Sequence, residues 1–350
     1  MGGLMENVEI VGLFSLQWHL TDACPNHCSH CYITADMRAK RKLSLNQLCV
    51  IATDFFESFR DLNLMRSISF TGGDPLLHPY FWKILRFVRE RGGSDLEINI
   101  LGTPTLLTRK TVVQLEEQGV RHYQLSLDGM KNTHDFFRGK GSFSETVKAL
   151  KMLSKTAIKP IVQSTVSKIN FGEMPEIADV AIDNGAALWD FSRFVPTKEN
   201  IKAAMFNPLE YRLFLEGMKE HYLKSGYKYN VGRKDPLWIL LEPPEKHEEC
   251  GCGESQTVSG GCTIGSLAFS ILPDGKVMGC RRHLGSTIGV VPEEKFEDIF
   301  FESRNMCKMQ KLKKIKKCQK CEWLFHCRGC RAVAFGVSQD LYASDPQCWL

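Results

Sequence analysis

Cys24, Cys28 and Cys31 stand in C-x3-C-x2-C spacing and are followed at once by an aromatic residue, Tyr32. That spacing puts three thiolates on one short loop. Three thiolates can hold three irons of a cubic 4Fe-4S cluster and leave the fourth iron an open position at which a substrate binds. A structural zinc site is the plain alternative, but zinc loops more often present C-x2-C pairs and need a fourth ligand close by. A second crowd of thiols lies near the C-terminus: Cys262, Cys280, Cys318, Cys321, Cys327, Cys330 and Cys348, with Cys250 and Cys252 just upstream. Fourteen cysteines in a chain with no export signal would be an odd disulfide framework, so metal or cluster ligation explains them better.

The chain has 350 residues, 43% of them hydrophobic, enough for one large α/β domain and a smaller one. Its first twenty residues hold no long apolar run between a basic start and a cleavage site, and no later stretch spans a membrane without charges. A cytoplasmic protein with no membrane partner is expected. The net charge of +5 is mild and does not point to nucleic acid.

Strand and helix patterns alternate along the chain. Phe14, Leu16, Trp18 and Leu20 alternate with Ser15, Gln17 and His19, a strand that delivers the chain to the cysteine loop. Ser44 and Gln47 form a capping-box pattern, and Leu45, Leu48, Ala52, Phe55, Phe56 and Phe59 recur at helical spacing. A strand over 68–71 follows. Pro79 opens a helix with Phe81, Ile84, Leu85 and Val88 on one side, and 96–101 reads as the third strand. Helices ending at Gly119 and Gly185 lead into strands over 123–127 and 188–194, two copies of one helix-to-strand turn. Between them lie a capped helix after Ser142 and a strand over 161–166. Six such units predict an α/β fold, a partial (β/α)6 TIM-like barrel with its working groups on loops after the strands.

Two further loops occupy such positions. Gly72-Gly73-Asp74-Pro75 follows the second strand, and its glycines let backbone approach a ligand closely. Alone it is an ordinary turn. Ser126-Leu127-Asp128-Gly129 ends the fourth strand in the same manner. The cysteine loop followed by the G-G-D turn resembles the signature of the radical S-adenosylmethionine (SAM) superfamily. The resemblance implies that SAM chelates the open iron and is reduced to methionine and a 5'-deoxyadenosyl radical, with Cys24, Cys28 and Cys31 as the catalytic thiols. It also implies a cofactor-binding set of Tyr32, Gly72, Gly73, Asp74, Ser126, Asp128 and Arg138. In this set the G-G-D element binds the SAM amino group, Ser126 contacts SAM and Arg138 pairs with its carboxylate. A solvated loop arginine is the bland alternative for Arg138.

After about residue 226 the alternation breaks at Pro236, Pro243 and Pro244 and an acidic run. The expected division is an extension over 1–12, a barrel over 13–225, a linker over 226–249 and a cysteine-rich domain over 250–350. Pro273-Asp274-Gly275 reads as a hairpin turn that brings Cys262 and Cys280 side by side. The pattern resembles the SPASM extension of radical SAM enzymes, which carries two auxiliary 4Fe-4S clusters. Carried over residue by residue, it puts Cys318, Cys321, Cys327 and Cys348 on the outer cluster. Cys262, Cys280 and Cys330 then hold the inner one, completed by Cys252, by Cys250, or by neither. The chain departs from many members in having two residues, Arg328 and Gly329, before Cys330 instead of three. Zinc competes for the Cys318–Cys321 pair, and Cys49 and Cys307 read as buried or idle thiols. His19 and His30 read as packing or hydrogen-bonding residues. The lysine run from Lys308 to Lys317 reads as a helix with an apolar edge at Leu312 and Ile315 and a solvated basic face, or as a dock for an acidic peptide segment.

The resemblance implies SAM and three 4Fe-4S clusters, reduced by an external donor such as flavodoxin or ferredoxin. It implies hydrogen abstraction from a ribosomally made peptide or a protein, with a thioether or carbon–carbon crosslink or an oxidised residue as the product. Sulfatase maturases place an aspartate after the second hairpin cysteine, where this chain has Arg281 and Arg282, and this counts against that branch. A heme-pathway or other small-molecule substrate is the enzyme alternative, and a non-catalytic electron carrier is the alternative outside catalysis. The cluster loop begins at residue 24, which leaves no room before it for a leader-binding domain. Leader recognition is then expected from a separate protein, from the basic C-terminal surface, or not at all.

Overall fold

Alternating apolar side chains make β1 (Gly12–Thr21) a strand whose Phe14, Leu16, Trp18 and Leu20 are buried. The computed structural model describes residues 12–33, 41–196, 204–226, 234–242, 260–283 and 285–350. Strand–helix units follow in order: α1 (Leu45–Glu57), β2 (Leu64–Gly72), α2 (Phe81–Gly92), β3 (Glu97–Leu101), α3 (Arg109–Glu117) and β4 (Val120–Ser126). Then come α4 (Lys131–Arg138), α5 (Ser142–Leu153), β5 (Lys159–Val166), α6 (Met174–Asp183), β6 (Leu188–Arg193) and α7 (Pro208–Ser225). Every neighbouring pair from β1 to β6 is parallel, so the cysteine loop and the loops after β2, β4 and β6 emerge at one end of the sheet.

The sheet does not close. Its order is β6-β5-β4-β3-β2-β1-β7-β8-β9, where β7 (Ala268–Ile271) joins β1 in parallel and β8 (Lys276–Met278) and β9 (Thr287–Val290) continue antiparallel. The cysteine-rich region is therefore joined to the barrel strands by a continuous sheet. One apolar core also runs through both, with Phe14 edge-on to Phe269 and Phe296. The hairpin turn at Gly275 is present, its N–H donating to the Leu272 carbonyl at 2.9 Å.

Local signals held in most places. The Ser44–Gln47 capping box forms in both directions, and α2 buries Phe81, Ile84, Leu85 and Val88. Gly119 and Gly185 take positive φ after α3 and α6. Three expectations shift. Pro79 lies in the turn before α2, which starts at Phe81 with Tyr80 as its cap residue. Ser142 is the first residue of α5 and not its cap. Asp135 of α4 does that work, accepting from Gly141 N at 2.8 Å and Phe143 N at 2.9 Å. The lysine run is broken: the helix Arg304–Gln310, which follows α8 (Phe296–Glu302), stops at Lys311, and two 3-10 turns, Leu312–Lys314 and Lys317–Lys320, follow. Lysines three and four apart repel on a helix, and here Ile315 turns inward while Lys316 pairs with Asp340 at 2.7 Å. Among the described residues no helix is long and apolar enough to cross a membrane.

Candidate active site

The root of the cysteine loop is built on the glycine turn. Gly73 N donates to the Thr21 carbonyl and Asp74 N to the Ala23 carbonyl, both at 2.7 Å. A Cβ on Gly72 would lie 2.1 Å from the Thr21 oxygen, and one on Gly73 2.1 Å from the Ala23 oxygen. The close approach that these glycines permit is thus to the backbone leading into Cys24. The Asp74 carboxylate is fully buried and turned into its own loop. Oδ1 accepts from Leu76 N at 2.9 Å, and Oδ2 accepts from Thr103 N at 2.8 Å and Thr103 Oγ1 at 2.7 Å. Burial pushes this carboxyl up, and the three donors oppose the shift.

Asp128 also points inward, with no exposed surface. Oδ1 accepts from Thr165 N at 2.7 Å, while Oδ2 takes Arg138 Nε and lies 3.1 Å from His30 Nε2. Burial alone would raise this carboxyl, but Arg138, His30 and the Thr165 N–H together hold it well below the usual carboxylate range. The Arg138 Nη1 stands 3.9 Å from Cys28 Sγ. Arg138 therefore reaches from Asp128 to a cluster thiol, where the sequence pointed to a partner for a ligand carboxylate. His30 is a hydrogen-bonding residue, as expected. Ser29 N, donating to the Phe137 carbonyl at 2.9 Å, ties the loop to α4 as well. Ser126 stands half-buried at the end of β4.

On the other side of the loop, the guanidinium of Arg281 lies 3.8 Å from the ring centroid of Tyr32. Its Nη1 donates to His19, 2.9 Å from Nε2, on β1. Burial first and Arg281 second lower the His19 pKa, so the imidazole is neutral and accepts. Burial pushes the Tyr32 phenol up to about 12, with Arg281 opposing. Sequence reasoning noted Arg281 only as a missing aspartate. Its position one residue after Cys280 was the available signal.

The C-terminal thiols fall into two groups. Cys318, Cys321, Cys327 and Cys348 line one pocket with Asp345. Burial raises Cys318 to about 11 and Cys327 to about 12, and the neighbouring Cys348 adds to both. Cys330, raised to about 12 by burial, feels Cys262, and Arg282 acts on both Cys280 and Cys330. The shortened spacing before Cys330 is accommodated by Arg328, whose φ is +64°. Its Nε donates to the Cys262 carbonyl at 3.0 Å and its Nη1 to the Phe325 carbonyl at 2.6 Å, while Cys262 N donates to the Cys327 carbonyl at 3.2 Å. Cys250 and Cys252 lie outside the described residues.

A buried charge network that the sequence did not reveal joins these groups to the barrel. Arg193, the last residue of β6 and 2% exposed, donates from Nε to Asp235 at 2.7 Å and from Nη1 to Asp345 at 2.9 Å and Gln347 at 3.0 Å. Asp345 in turn accepts from Cys330 N at 2.6 Å and Gln347 N at 3.0 Å. One carboxylate thus binds a residue of each thiol group's segment and the barrel's arginine.

The donor set fits iron–sulfur ligation. All the described cysteines are free, and a metal that binds a buried thiol displaces its proton to solvent. Among the described residues no three cysteine, histidine or acidic side chains converge as ligands of a single ion would. Thiolates that each serve a different corner of a cube need not converge. A family model for the radical SAM superfamily matches residues 18–180, and one for the SPASM iron–sulfur cluster-binding domain matches residues 262–322. The AdoMet-dependent heme synthase of Methanosarcina barkeri is 26% identical over 345 residues, covering 95% of each chain. The sporulation killing factor maturation protein SkfB of Bacillus subtilis is 26% identical over 282 residues, 80% of this chain and 63% of SkfB. The solved structure of native anSMEcpe with bound AdoMet and the Kp18Cys peptide shares the fold. Its TM-score is 0.76 at 18% identity, over 96% of this chain and 94% of that one. The two family models take in the end of β1, the cysteine loop, β2 to β5 and the thiols from Cys262 to Cys321, and on that ground the chain belongs to the radical SAM superfamily and carries a SPASM iron–sulfur domain.

Proposed function

We propose that this radical SAM enzyme abstracts a hydrogen atom from a ribosomally made peptide and leaves a thioether, a carbon–carbon crosslink or an oxidised residue. When bound, the clusters and SAM supply a one-electron reductive cleavage and a route for the electron released by the product. The observation that carries the substrate reading is the open sheet. With β6 and β9 at opposite edges of nine strands, the sheet stays open, which leaves an extended chain room to approach the loops at its carboxyl end. Similarity to SkfB, a maturation protein, supports the same reading.

The chain's own residues position the reaction. The glycine turn fixes the root of the loop, Arg138 links Cys28 to Asp128, and Arg281 holds Tyr32 in place. Because Asp74 and Asp128 are engaged internally, backbone carbonyls of the 72–74 turn are left to meet an amine of SAM, and Ser126 at the end of β4 contacts SAM from its own strand end. The outer thiols Cys318, Cys321, Cys327 and Cys348 hold one auxiliary cluster. Cys262, Cys280 and Cys330 hold the other, with Cys252, Cys250 or a substrate as fourth ligand. A flavodoxin or ferredoxin supplies electrons, a separate protein reads any leader, and the enzyme works in the cytoplasm.

A second reading, a small tetrapyrrole substrate, is favoured by the heme synthase, which matches over 95% of each chain. Incubation of the reduced enzyme and SAM with a candidate peptide should remove two hydrogens per crosslink by mass spectrometry. Deoxyadenosine formed with unchanged peptide, and a changed porphyrin instead, would overturn the peptide reading.

Metal content gives a separate prediction. Three cubic clusters amount to about 12 irons per chain, and alanine at Cys24, Cys28 and Cys31 should leave about 8. Anaerobic iron, sulfide and zinc analysis checks this, and stoichiometric zinc in place of the auxiliary irons would contradict it.

A further inference from the structure

Cys28 is tied to the barrel through a buried ion pair. Arg138, the last residue of α4, donates from Nη1 to Cys28 Sγ at 3.9 Å, while its Nε donates to Asp128 Oδ2. The same Oδ2 lies 3.1 Å from Nε2 of His30, which stands between Cys28 and Cys31 on the loop. Asp128 Oδ1 accepts from Thr165 N at 2.7 Å, and the residue has no exposed surface. Its backbone is held as well: Asp128 N donates to Nδ1 of His134 at 3.1 Å, and the Asp128 carbonyl accepts from Asn170 Nδ2 at 2.6 Å. The guanidinium cannot swing away from Cys28 without leaving that buried carboxylate short of its partner. Ser29 N, donating to the Phe137 carbonyl, fixes the loop against the same helix end, so sulfur and guanidinium are held from both sides.

Reduction adds negative charge to a cluster, so a hydrogen-bond donor and a positive charge beside one of its sulfurs favour the reduced form. A carboxylate behind the donor offsets part of that charge. We infer that Arg138 and Asp128 set the reduction potential of the N-terminal cluster, Arg138 raising it through Cys28 and Asp128 holding Arg138 in place while limiting the rise. Both are positioning residues that act through the Cys28 sulfur. The inference deepens the proposed function and rests on a cluster bound by the cysteine loop, not on the identity of the substrate. It differs from the role of an arginine that pairs with the SAM carboxylate, because such an arginine acts only when SAM is bound.

The test is a redox titration of the anaerobic holoenzyme followed by electron paramagnetic resonance, first without SAM and then with it. The signal missing from the Cys24, Cys28 and Cys31 triple alanine variant identifies the N-terminal cluster. Without SAM, Arg138→Gln should make its one-electron reduction about tenfold less favourable, a midpoint lower by about 59 mV. Arg138→Lys keeps the charge and should fall less, whereas Asp128→Asn should move the midpoint upward. Loosened packing alone would not give shifts of opposite sign. Should Arg138→Gln not load iron, Asp128→Asn still decides by the sign of its shift, and the converse holds. A wild-type midpoint in Arg138→Gln, or a fall in both variants, would overturn the inference. A shift that arises only after SAM is added would also overturn it and assign Arg138 to the SAM carboxylate. A wild-type protein that shows the N-terminal signal but does not cleave SAM would defeat the proposed function, while these midpoints would still test the inference.

Discussion

Arg193→Met is expected to destabilise the protein by about 3 kcal/mol or more and to strip the auxiliary clusters while sparing the N-terminal one. The side chain nearly matches in volume, so the loss is one of charge. Asp235 and Asp345, 7% and 4% exposed, would keep their carboxylates in a low-dielectric interior with the guanidinium gone. Asp345 holds Cys330 N and Gln347 N, and Cys348 N donates to its carbonyl at 3.2 Å, so its displacement disturbs both thiol groups at once. Iron per chain should fall from about 12 toward about 4, and the urea midpoint should fall with it. Unchanged iron and an unchanged midpoint would show that the network does not couple the barrel to the C-terminal thiols.

Gly73→Ala is expected to lower SAM cleavage about a hundredfold, because a displacement of the order of 1 Å at a reacting centre has that effect. The added methyl would sit 2.1 Å from the Ala23 carbonyl oxygen, a backbone atom one residue before Cys24. Either the cysteine loop or the turn must move, and both carry the site. Overpacking of this kind also costs about 1–3 kcal/mol of stability. Gly217 offers the contrast: in α7 with nothing within 4 Å of its added Cβ, its alanine variant should gain up to about 1 kcal/mol and cleave SAM normally. Equal activity in the two variants would contradict the role given to the turn.

The alternation of strands and helices was legible because it rests on local periods and caps. The six parallel strands and their order of appearance follow from it. The three cysteines were legible for the same reason, since their spacing is itself the geometry. Partner choice was not. Asp74 and Asp128 look like ligand-facing acids in the sequence, but Thr103, Thr165 and Arg138, which claim them, are 29, 37 and 10 residues away. Arg193 and Asp345 are 152 apart. The lysine run carried a helical period at Leu312 and Ile315, yet charge repulsion and the pull of Tyr342, whose carbonyl accepts from Lys316 N at 3.0 Å, broke it into turns. The hairpin turn at Gly275 is legible in Pro273-Asp274-Gly275, but no local signal specifies that its first strand pairs with β1 and extends the barrel sheet.

The central claim is that the Cys24–Cys28–Cys31 loop and the glycine turn beneath it form a working SAM site. Its most direct measurement is the yield of 5'-deoxyadenosine from SAM by the reconstituted, anaerobically reduced protein, run beside the triple alanine variant of those cysteines. Deoxyadenosine from the first and none from the second is the predicted result. No deoxyadenosine from a well-loaded wild-type protein, or equal yields from both, would contradict it.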